Sequence, residues 1–193
     1  MMNHRRLRSN AQIRDLIRET HLNASQLIYP LFIEEGKNIR KEIGSMPGVF
    51  RYSLDMLDKE LDELQHLGIQ SVLLFGIPKE KDAEGSETWN DQGIIQQAIR
   101  KMKSERPDLL VVSDVCFCEY TDHGHCGVLN GNTVDNHGTL ENTVKQVVSH
   151  AKAGVDMVAP SGMMDNVVAA IRNGLDEHAF DGVSIMSYAA KYA

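Results

Sequence analysis

Short apolar runs alternate along this chain with stretches of helical periodicity, and that alternation restricts the fold more than any other feature. LIYPLFI (27–33), QSVLLFGI (70–77), LLVVSDV (109–115), VDMVAPS (155–161) and GVSIMSY (182–188) each read as a strand. Between them run helical stripes: Leu54, Leu57, Leu61 and Leu64; Ile94, Ile95, Ala98 and Met102; Leu140, Val144, Val147, Val148 and Ala151; Met164, Val167, Val168 and Ile171. Ser53 is expected to cap the first of these and Gly68 to stop it. Pro107, Gly154 and Gly174 are the expected stops of the other three. Strands that are apolar on both faces, alternating with amphipathic helices, predict βαβ units and a parallel sheet. Five such strands suit either an open doubly wound sheet or most of a (β/α)8 barrel. Ahead of them, residues 9–20 predict a short helix capped by Ser9 or Asn10, with Ile13, Leu16 and Ile17 on one face. Arg5, Arg6, Arg8, Arg14 and Arg18 make this arm basic, either as a solvated face or as an arm that docks on another subunit.

Charge and composition remove several functions. The formal net charge is −7, which argues against nucleic-acid or anionic-membrane partners, though not against a small anionic substrate. No apolar run approaches the roughly 18 residues of a membrane span. The basic N-terminus is not followed by an apolar segment, so no secretory signal is expected. Three cysteines cannot all pair within one chain, and a reduced, cytoplasmic protein is the simplest expectation. Neither G-x-G-x-x-G nor G-x-x-x-x-G-K-[ST] follows a strand, which removes the usual nucleotide sites.

Two connections are too long for plain turns, from Pro78 to about Asp91 and from Cys116 to about Gly138. Both follow strands, on the side where barrel enzymes place their chemistry. The second reads DVCFCEYTDHGHCG from Asp114 to Gly127 and holds all three cysteines and two histidines. Cys116 and Cys118 point to one face of an extended segment. Gly124 and Gly127 let the chain return and bring Cys126 to them. Three thiolates around one point repel one another unless a cation joins them, and zinc favours such soft ligands. Three ligands leave a fourth position open, the pattern of a working zinc. His123 or His125 could fill it and close the site. The plain alternative is three buried, inert cysteines.

Three further residues stand at or beyond strand ends. Asp114 closes the third strand, where an Asp commonly caps a turn. Ser161 closes the fourth, where it reads most simply as the N-cap of a helix from Met163. Lys191 follows the fifth, in the uncharged and partly aromatic SYAAKYA (187–193). Burial there would favour the neutral amine, the nucleophile of a Schiff base. Its plain alternative is a surface lysine. In a parallel barrel the ends of adjacent strands surround one cavity, so Asp114, the cysteine loop, Ser161 and Lys191 would share it. An electrophilic metal, an acid/base group and an amine together suggest carbonyl condensation.

These motifs resemble those of the porphobilinogen synthase (5-aminolevulinate dehydratase) family. DVCFCEYTDHGHCG is similar to its zinc-cysteine signature, and MSYAAKYA to a segment carrying one of its two Schiff-base lysines. HRRLRSNAQIRDLIRET, LIYPLFIEEG and VAPSGMMDN resemble its arm, first strand and fourth strand end. The resemblance implies a (β/α)8 barrel over residues 27–193, present here as about five βα units, behind an arm at 1–26. It implies a hydro-lyase of tetrapyrrole and heme biosynthesis that condenses two 5-aminolevulinate molecules to porphobilinogen with loss of two waters. By the same resemblance Lys191 would form a Schiff base with one substrate, and Asp114 would orient or deprotonate it. Cys116, Cys118 and Cys126 would hold zinc, and the arm would wrap a neighbour in an octamer. Gly162 stands where the family usually has Asp or Asn, and Asn166 where it usually has Gly. The family's second Schiff-base lysine, its last three strands and any magnesium site fall outside these 193 residues, so a catalytically incompetent zinc-binding fragment is the alternative expectation.

Overall fold

In the computed structural model, which describes residues 4–190, the expected strands line up as one parallel sheet. β1 (Ile28–Glu34), β4 (Ser71–Ile77), β5 (Leu110–Val115), β8 (Met157–Pro160) and β9 (Ser184–Ile185) are the five expected strands, each parallel to its neighbour. β2 (Arg40–Glu42) and β3 (Phe50–Tyr52) add an edge that periodicity does not reveal. β3 pairs parallel with β1, and β2 pairs antiparallel with β3, giving the order β2-β3-β1-β4-β5-β8-β9. A separate two-stranded ribbon, β6 (Leu129–Asn130) with β7 (Thr133–Val134), lies inside the cysteine loop.

The helices α2 (Asp58–His66), α3 (Ile94–Glu105), α4 (Asn136–Ala153) and α5 (Val167–Glu177) are the crossovers. They cover one sheet face. Leu31, Ile33, Val72, Leu74, Val111 and Val158 on that face are buried against Leu61, Leu64, Ala98, Ile99, Met102, Val147, Ile171 and Leu175. Burial of such side chains contributes about 1.5–3 kcal/mol each relative to exposure, and this face supplies the main apolar stabilisation. The opposite face carries Phe32 stacked on Phe75 at 5.0 Å and, two strands on, Asp114; these three are only half-buried.

Several local expectations are corrected. The arm helix α1 is Ala11–Leu16, shorter than 9–20, and Asn10 caps it by accepting from the Ile13 N–H. Ser53 stands at the N-cap of a 3-10 turn, Leu54–Met56, ahead of α2, but its side chain makes no capping bond: its hydroxyl accepts from the Ile39 N–H and anchors the β2–β3 excursion. Ser161 caps no helix either, because α5 starts only at Val167, behind Asn166 in a left-handed conformation at φ 63°. Asn tolerates that conformation better than most residues, which accounts physically for Asn in place of Gly there. Gly174 does not end α5, which continues to Glu177. A Cβ at Gly174 would lie 2.5 Å from the Val144 Cγ1, so this glycine lets α5 cross close over α4. Gly154, in contrast, ends α4 in the left-handed conformation at φ 99°. The expected strand over 182–188 is reduced to Ser184–Ile185. Met186 N–H to Val158 O (2.9 Å) and Tyr188 N–H to Pro160 O (3.3 Å) nevertheless carry the pairing on.

Candidate metal centre at the strand ends

β5 delivers the site. Asp114 and Cys116 lie two residues apart where the strand ends, and Cys116 is 5% exposed. Beyond it the chain turns at once: the Tyr120 and Thr121 N–H groups both donate to the Phe117 carbonyl at 2.9 Å. Gly124 and Gly127, at φ 73° and 139°, reverse the loop and return Cys126. The Thr121 hydroxyl seals the return by donating to the His125 carbonyl at 2.8 Å.

The three cysteine sulfurs converge within 4.8 Å of one another, and the Cys116 and Cys126 Sγ atoms are 3.2 Å apart. Zinc–sulfur bonds of about 2.3 Å in tetrahedral geometry require sulfurs roughly 3.8 Å apart, so small side-chain rotations admit a zinc ion. The electrostatics agree. Hydrogen bonding to Cys126, then burial, pushes the Cys116 thiol far up, while the same bond holds the Cys126 thiol down. Burial, followed by the charge of Cys116, raises Cys118 to about 11. Packed this closely, three thiolates disfavour one another, and a divalent cation reverses that balance. The donor set therefore fits zinc by number, chemistry and spacing.

Neither histidine joins the sulfurs in any group of metal-competent atoms among the described residues. His123 is engaged at both ring nitrogens: Nδ1 accepts from the His125 N–H at 3.1 Å, and Nε2 donates to the Ala83 carbonyl at 3.1 Å. The His125 residue is exposed.

The other long loop braces this one. Asp122 N–H donates to the Asp82 carbonyl at 3.0 Å, and a bridge joins Asp82 to Thr121. Trp89, on the turn Ser86–Trp89, meets the Phe117 ring edge-on at 6.5 Å. Tyr120 is buried with its hydroxyl against Gly76 of β4, where a side chain would collide with it.

Adjacent strands bring the remaining residues to the same end. Ser161 follows β8 and its N–H donates to the Val115 carbonyl at 3.3 Å, beside Asp114 and Cys116. Its neighbour Gly162 comes so near that a Cβ would be 3.2 Å from the Cys126 sulfur. Tyr188, after β9, stands close enough to Asp114 for the carboxylate to act on its phenol. Burial and the Asp114 charge raise the phenol strongly, so it stays a proton donor. Sequence reasoning did not single out Tyr188 or Tyr120; the aromatic character of SYAAKYA was the available signal for the first. Lys191 lies outside the described residues.

This is a parallel-sheet α/β chain of the barrel type that gathers three cysteines, a carboxylate and a phenol at the carboxyl ends of neighbouring strands, the end where barrel folds carry their sites. Comparison with known proteins gives the family. The family model described as delta-aminolevulinic acid dehydratase matches residues 1–193. The delta-aminolevulinic acid dehydratase of Halalkalibacterium halodurans is 53% identical over 190 residues, covering 98% of this chain and 58% of that protein. That of Ruminiclostridium josui is 51% identical over 189 residues, 98% of this chain and 92% of the relative. The Toxoplasma gondii enzyme, solved with its reaction product porphobilinogen, superposes with a TM-score of 0.95 at 37% identity, over 100% of this chain and 56% of that one. The chain belongs to the delta-aminolevulinic acid dehydratase family, and its α/β fold matches the family's barrel over part of the barrel's length. It spans a little over half the length of the Halalkalibacterium relative.

Proposed function

We propose that this chain carries the zinc and Schiff-base half of porphobilinogen synthase, which joins two 5-aminolevulinate molecules to porphobilinogen with loss of two waters. The convergence of three cysteine sulfurs beside Asp114 carries the reading. Cys116, Cys118 and Cys126 would hold zinc, which would supply a Lewis acid. Lys191 would add its amine to the ketone of one substrate and expel water, leaving an imine. Asp114 is suited to accept a proton from the substrate beside that imine, and the nearby Tyr188 phenol to steady the carboxylate. Ser161 offers a hydroxyl at the neighbouring strand end.

The arm supports a homo-oligomer. Leu16 is 84% exposed and Leu22 77%, and α1 buries no residue. Such leucines on a basic segment fit docking on a second copy, as in the family's octamers.

Borohydride trapping tests the reaction. The protein is incubated with 5-aminolevulinate and reduced, and adducts are located by mass while porphobilinogen is assayed. An adduct on Lys191 is the expected outcome, and product beside it would extend the reading to the full reaction. An adduct without product restricts the chain to the first half-reaction. Neither overturns the catalytic reading and leaves a zinc-binding fragment.

A further inference from the structure

The segment 161–166, which presents Gly162 to Cys126, is tied to the cysteine loop by one side chain. Asn136 accepts from the Asp165 N–H at 2.8 Å and donates its amide to the Asp165 carbonyl at 3.3 Å. It thereby imitates one rung of a sheet between the start of α4 and the 161–166 segment, at residues 29 apart in the chain. Asn136 is the first residue of α4 and follows the N-cap Asp135, whose carboxylate accepts from the His137 and Gly138 N–H groups. The same turn grips the cysteine loop. Thr139 accepts from the Val128 N–H at 3.0 Å and donates to the Asp135 carbonyl at 2.6 Å. Its side chain also occupies the space a Cβ at Gly127 would need. Val128 and Gly127 directly follow Cys126. One helical turn thus holds Cys126 through Thr139 and the segment over Cys126 through Asn136.

We propose that Asn136 is a positioning residue for the thiolate centre: it fixes Gly162 over the Cys126 sulfur and so controls access to the metal from that side. The inference rests on the zinc reading of the three cysteines. Both partners at Asp165 are on an exposed residue, so water can replace Asn136 and the fold need not suffer when it is removed. What changes is the tether. The segment then moves freely against Cys126, and an entering chelator reaches the metal.

The test loads the protein with Co2+, follows the sulfur-to-cobalt absorption, and measures metal loss to excess chelator alongside the thermal midpoint. Asn136→Ala is expected to release cobalt about tenfold faster, the low end of what outer-shell partners contribute, with an unchanged midpoint. Asn136→Asp keeps the acceptor for the Asp165 N–H but loses the donor, and is expected to fall between Ala and the parent. Equal release rates in all three proteins overturn the inference, as does faster release accompanied by a matching loss of thermal stability. Failure of the parent protein itself to develop the absorption overturns the zinc reading instead.

Discussion

Acid should weaken this fold in a defined window because of one buried imidazole. His150, on α4, is 1% exposed and pairs its Nδ1 with the Ser113 hydroxyl at 2.9 Å, on the sheet face opposite Asp114. Burial drives its pKa down from 6.5 to about 4. The folded protein therefore holds His150 neutral at pH values where the unfolded chain takes up a proton. Stability is complete above about pH 6.5, falls as pH drops through 6 and 5, and stops falling below about 4. A lowering from 6.5 to about 4, at 1.36 kcal/mol per unit, amounts to about 3 kcal/mol. That is a large share of the 5–15 kcal/mol typical of a domain. The assay is urea unfolding at pH 7, 6, 5 and 4, with chelator present so that metal release does not enter, for the parent and for His150→Gln. The parent should lose about 3 kcal/mol more than the variant across that range. Parallel pH profiles would refute the reasoning, because the carboxylates titrate in both proteins and only His150 distinguishes them.

Other outcomes follow from the same geometry. Gly76→Ala should destabilise the protein by about 1–3 kcal/mol, because a new Cβ meets the buried Tyr120 hydroxyl. Adding Tyr120→Phe should recover part of that loss in thermal unfolding. Cys126→Ser should bind zinc in less than equimolar amount after dialysis, read by atomic absorption, since it removes one of three thiolates. Leu16→Asp should lower the oligomeric mass seen by light scattering while leaving far-ultraviolet circular dichroism unchanged, because Leu16 contributes nothing to the core.

The barrel strands were legible because burial on both faces leaves unbroken apolar runs, as in LIYPLFI and QSVLLFGI. β2 and β3 were not, since Arg40–Glu42 is charged and exposed and Phe50–Tyr52 gains its place by pairing with β1, a long-range contact. The buried polar stripe of α4 was equally hidden. Thr139, Asn142, Thr143, Gln146, Ser149 and His150 look like solvent-facing residues, yet they are buried. Several find partners elsewhere in the fold: Ser149 bonds Gln96, His150 bonds Ser113, and Thr139 bonds Val128. Gly174 misled for a related reason, as a close helix crossing and a helix stop both select glycine. The cysteine cluster was readable because its ligands are local: C-x-C and two glycines bring three sulfurs together within eleven residues. The partnership of Tyr188 with Asp114 depends on β9 lying beside β8, which no local pattern reveals.

The zinc binding proposed above for Cys116, Cys118 and Cys126, with one position left open, is tested most directly by X-ray absorption at the zinc edge of the loaded protein. Three sulfur neighbours at about 2.3 Å and one oxygen or nitrogen neighbour near 2.0 Å, unchanged in a His123→Gln/His125→Gln double variant, are the expected result. A shell with fewer than three sulfurs, or one that loses a ligand when the two histidines are replaced, would contradict it.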